Sequence, residues 1–118
     1  MSGRDQIRQT SDRKPLGFNE IVSHCVKEGL TEALDSIVFD ALLDQMYEHY
    51  DITLENLPNR LDTFFSVLEG AFGQNSSQVL SRVIARKLYA HLSFEFVESP
   101  TKGLPEYVEE IRKKLAKS

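Results

Sequence analysis

The feature that most constrains this chain is a run of apolar side chains at helical spacing. Leu57, Leu61, Phe64, Phe65, Leu68 and Phe72 recur every three or four residues. On a helix of 3.6 residues per turn they share one face, which must find a neighbour to bury it. Gly73 follows directly and predicts the stop, because a glycine adopts a left-handed cap without a Cβ clash.

The rest of the chain supplies the neighbours. Phe18, Ile21, Val22, Cys25 and Val26 predict a first helix over 18–29, with Gly29 as its stop. A second helix is expected over 36–50, capped by Ser36. Its apolar residues, from Ile37 to Tyr47, cover so wide an arc that a central position is expected for it. Residues 51–56 read as a connector with Ile52 and Leu54 docked on the core. Asn56 is placed to cap the third helix, with Pro58 in its first turn. Asn75-Ser76-Ser77-Gln78 reads as a capping box for a fourth helix, with Val79, Leu80, Val83, Ile84, Leu88 and Leu92 on its inner face. The alternation through Leu92, Phe94 and Phe96 has no second strand to pair with, so a frayed helix end is expected there. A last helix starts near Pro105, lined by Leu104, Tyr107, Val108, Ile111 and Leu115. Its acids come early and its bases late, as the helix dipole prefers. The sum is an all-α fold, a compact bundle of about five helices. Residues 1–16 read as a flexible basic tail and 17–118 as a single helical domain.

A chain of 118 residues is long enough to bury a core without disulfide or metal staples. Cys25 is the only cysteine, which fits a reducing, cytoplasmic setting. No apolar run approaches the ~20 residues of a membrane helix, and the N-terminus lacks the apolar core of a secretory signal. The histidines His24, His49 and His91 form no metal-binding spacing with Cys25. No phosphate-binding loop, dinucleotide fingerprint or framed nucleophile is present. Neither a cofactor nor a metal is expected, and the chain is read as non-enzymatic.

Charge is spread unevenly. Residues 1–15 carry a net +2, residues 16–60 a net −7 and residues 61–118 a net +1. Asp40, Asp44 and Glu48 stand four apart, so they stack on one helix face, and Asp51 and Glu55 extend the strip into the connector. They mark a docking face for a basic protein partner, against the plainer alternative of a solvated surface. Arg82 and Arg86 also stand four apart, beside Lys87. After the Gly73 turn they offer, together with the basic N-terminal tail and the lysine-rich end at Arg112, Lys113, Lys114 and Lys117, a second possibility, a nucleic-acid-binding regulator. Ordinary pairing with Asp62 or Glu69 competes with it. A homodimer is also compatible, since a core and a dimer seam would bury the same stripes.

The order of elements over 18–96 carries a resemblance. The run Tyr47-Glu48-His49-Tyr50-Asp51-Ile52 leads into Leu57-Pro58, then to Ala71-Phe72-Gly73 and the helix from Val79 to Tyr89. This resembles the Nitrosopumilus output domain family, small helical domains of ammonia-oxidising and related archaea. The resemblance covers about two-thirds of the chain. It implies a regulatory output or interaction module, linked to signalling or transcription, with no catalytic residues to carry over.

Overall fold

The computed structural model describes residues 17–117. The expected tail over 1–16 lies outside the described residues. Five α-helices follow in order: α1 (Phe18–Ala33), α2 (Ser36–Tyr50), α3 (Leu61–Phe72), α4 (Gln74–His91) and α5 (Leu104–Lys117). A short 3₁₀ turn, Leu57–Asn59, precedes α3. No strand occurs among the described residues. The all-α bundle is as the patterning requires, but its centre is not where the apolar count placed it.

The central helix is α4, which packs against α1, α3 and α5. Leu80, Ile84, Ala85, Leu88 and Tyr89 are buried, together with Ser77 and Ser81. Small residues let neighbouring backbones come close. α1 comes close enough that a Cβ added at Gly29 would sit 2.7 Å from Cγ1 of Ile84. Gly29 is therefore a packing residue inside α1, not its stop, and the helix runs one turn further to Ala33.

The second correction concerns α2. Only Phe39, Leu42 and Met46 are buried. Ile37 is 80% exposed and Tyr47 61%. The helix is peripheral, because one flank meets α1 and α3 and nothing among the described residues covers the other. Its cap is Asp35 rather than Ser36: the Asp35 carboxylate accepts from the backbone N–H of Val38 at 3.0 Å. The helix ends on Asp51 in the left-handed conformation, φ 57° and ψ 36°.

Local side-chain bonding shifts two further boundaries. Asn56 does not cap α3; its Oδ1 accepts from the N–H of Thr53 at 2.9 Å, and its Nδ2 donates to the carbonyl of Asp51. That competition with helix formation is typical of asparagine. Pro58 accordingly sits in the 3₁₀ turn and α3 begins at Leu61. On α3 the buried arc takes in Val67 and leaves Phe65 and Phe72 half-buried. The expected capping box at the start of α4 is not formed. Ser77 Oγ donates instead to the carbonyl of Gln74 at 2.9 Å, and Gly73 at φ 89° joins α3 to α4.

After α4 the chain is neither strand nor frayed helix. It turns at Ser93, φ 63°, and runs extended across the core. Phe94 and Phe96 point inward while Glu95 and Val97 face water. Phe96 lies 5.3 Å from the rings of both Tyr89 and Tyr107. The Tyr107 hydroxyl donates to the carbonyl of Ser99 and accepts from its N–H. The strap is thus fastened to α5. That helix buries Leu104, Tyr107, Val108 and Ile111, but Leu115, expected inside, is 37% exposed.

Candidate interaction surface

The outward face of α2 collects the residues the charge pattern singled out. Phe39, Leu42 and Met46 fix which side of the helix turns inward. At 100° per residue, Asp40, Asp44 and Glu48 then fall on the opposite side, with Ile37 and Ala41 among them. All five are exposed. Carboxylates at this spacing stand about 6 Å apart at their Cβ atoms. No Lys or Arg among the described residues forms an ion pair with them. Asp51 is exposed too, but its backbone closes the helix, so it carries a structural duty besides its charge. The structure therefore brings Asp40, Asp44 and Glu48 onto one open face, with Asp51 at its end.

The second group is arranged differently. Arg82 Nε lies 3.0 Å from Glu98 Oε2, and Arg86 shares the same oxygen at 3.9 Å. The Arg86 guanidinium also stands 5.5 Å over the Phe96 ring. Lys87 Nζ meets Glu32 Oε2 at 3.0 Å. The partners are thus on the strap and on α1, not Asp62 and Glu69 across the α3–α4 hairpin as expected. The helix that follows Gly73 has its basic residues already facing carboxylates.

Other chemistry-bearing groups are structural in their surroundings. Cys25 is buried in the α1 side of the core. Burial, aided by the nearby Glu28 charge, pushes its thiol up to about 11, which disfavours the reactive thiolate. His24 stands 3.4 Å from Glu28, one turn along α1, and its ring centre is 6.0 Å from that of His91. The described residues gather no three metal-ligating side chains. An open cleft of about 650 Å³ separates the start of α3 from α5. Arg60 and Arg112 face it, but so do Asp62, Glu106 and Glu109, so it favours neither sign of charge.

Sequence reasoning missed two features. One is the exposure of Ile37 and Tyr47, whose signal was the excess width of the α2 apolar arc: no single face could bury all of it. The other is a polar clamp in which Tyr89 shares its proton between the Tyr107 carbonyl and Glu110 Oε1. Lys102 Nζ donates to the other Glu110 oxygen at 2.7 Å. These donors, Lys102 foremost, hold the Glu110 carboxyl below the usual carboxylate range, and burial raises the Tyr89 hydroxyl. Nothing in the spacing of those four residues marks them as partners. Set beside protein-family models, curated proteins and solved structures, the chain matches none of them.

Proposed function

We propose that this chain is a non-enzymatic helical interaction module that docks a basic protein partner on the outward face of α2. The observation that carries this reading is the row Asp40, Asp44, Glu48 and Asp51, exposed and forming no ion pair with a Lys or Arg among the described residues. Like charges at this spacing slightly disfavour an isolated helix. A cationic partner relieves that repulsion, and long-range attraction speeds its arrival. The likeness to the output-domain family adds a regulatory or signalling role, and the single buried thiol suits a cytoplasmic setting. No described helix is long and apolar enough to cross a membrane.

The nucleic-acid reading draws no support from the geometry, since Arg82, Arg86 and Lys87 already face Glu98 and Glu32. The test of the docking reading is charge reversal with Asp44→Lys and Glu48→Lys together. Both positions are exposed, so circular dichroism should be unchanged while capture of a basic partner is lost. Undiminished capture would remove α2 from consideration. A parallel amide NMR titration with mixed-sequence duplex DNA should be silent at moderate salt; salt-sensitive shifts on Arg82 or Arg86 would reinstate the alternative.

A further inference from the structure

Four apolar side chains narrow the form of that partner. Ile37, Val38, Tyr47 and Tyr50 are all open to solvent, and all belong to α2. A single exposed isoleucine or tyrosine is ordinary. On this helix of 15 residues the two most exposed, Ile37 at 80% and Tyr47 at 61%, border the outward face, while Val38 and Tyr50 lie on its flanks. By helical geometry Ile37 falls among the carboxylates at one end of the outward face. Tyr47 falls at the edge of that face toward the other end, about 15 Å further along the axis. Asp40 and Asp44 lie between them.

We infer, resting on the docking reading above, that the occupant is a basic amphipathic helix of a partner protein laid lengthwise along α2. Its lysines or arginines face Asp40, Asp44 and Glu48. Its apolar residues, ten or eleven positions apart, meet Ile37 and Tyr47. Charge selects the partner's sign, and it disfavours a second copy of this chain, which would set the same acidic row against itself. Backbone chemistry selects a helix. The described residues offer no strand edge to pair in register with the N–H and C=O row of an extended peptide. A helix brings those groups already satisfied.

The test uses the full chain and two labelled peptides of about 18 residues and equal composition. One is patterned as a basic helix with leucines eleven apart; the other is scrambled. Fluorescence anisotropy should show the patterned peptide binding at least about tenfold tighter. Ile37→Ser and Tyr47→Ser should each weaken it about fivefold, the cost of losing roughly one buried apolar contact. Circular dichroism of both variants should match the parent. Equal binding of the two peptides, abolished by salt, would overturn the helix inference and leave the charge-docking reading standing. Binding by neither would overturn both. A concentration-dependent dimer in sedimentation that disappears with Ile37→Ser would overturn it in favour of self-association.

Discussion

Helices α2 and α4 invert the usual expectation. α2 is the richer in bulky apolar residues, yet buries only Phe39, Leu42 and Met46. α4 carries two arginines, a lysine and a polar first turn, yet buries seven residues and holds the bundle together. The difference lies in size and not in hydropathy. Ser77, Ser81 and Ala85 are small and recur every four residues along α4, so neighbours approach it closely. α2 meets its neighbours along one flank only, and its outward face carries Asp40, Asp44 and Glu48. Apolar arc width thus reports how much surface asks to be covered, whereas small residues report where helices actually meet.

The sharpest way to break this contrast is at the crossing of α1 and α4. Gly29→Val would force a branched side chain into the 2.7 Å approach to Ile84. Overpacking of that kind costs about 2 kcal/mol. In a domain of this size the melting temperature should fall by about 8 °C. Thermal denaturation followed by circular dichroism measures it. An unchanged midpoint would mean that the helices separate there without penalty, and that α4 is not held by close approach.

This crossing also shows what the sequence could and could not convey. The stripe Leu57, Leu61, Phe64 and Leu68 was legible because periodicity is local, and the 3.6-residue repeat is set by backbone geometry alone. The span of α2 over 36–50 was legible too, although its cap is Asp35 and not Ser36. Gly29 was misread because a glycine at a helix stop and a glycine at a helix crossing look alike until the partner helix is in place. Asn56 was misread as a cap because its side chain had a nearer backbone group to bond, and the expected box over 75–78 is not formed, Ser77 bonding the Gln74 carbonyl instead. For the candidate surface, spacing placed Asp40, Asp44 and Glu48 on one face. It could not show that Glu98, 16 residues from Arg82, would return to neutralise the competing basic pair. Long-range ion pairs leave no local trace.

A smaller effect separates the two helices by pH. Tyr89 of α4 and Lys102 of the strap both donate to Glu110, whose carboxyl is thereby held ionised at lower pH than when unfolded. A depressed folded-state value means that the unfolded chain binds the proton more readily. The stabilisation is therefore complete above the ordinary carboxylate range and is lost as pH falls through it and below. The Glu110 side chain is 44% exposed, so solvent screens the interaction and the loss is modest. Urea denaturation of the parent and of Glu110→Gln between pH 7 and pH 3 should give curves that converge on acidification. A constant gap would mean that the clamp acts through shape and not through charge.

The smallest expected effect falls on α2. Ile37 is 80% exposed, so little packing is lost when it is replaced. Ile37→Ser removes a bulky apolar side chain from water and should leave folding stability within about 0.5 kcal/mol of the parent. The same deletion at Ile84, 1% exposed, would open a cavity in the core. Two isoleucines therefore give opposite answers to one measurement. If Ile37→Ser instead lowered the melting temperature substantially, α2 would have to be covered in solution, and its open face would belong to a second copy or to residues outside the described range. If stability is unmoved while binding of a basic helix falls, Ile37 is retained for contact with another molecule, and the apolar excess of α2 is explained by function rather than by folding.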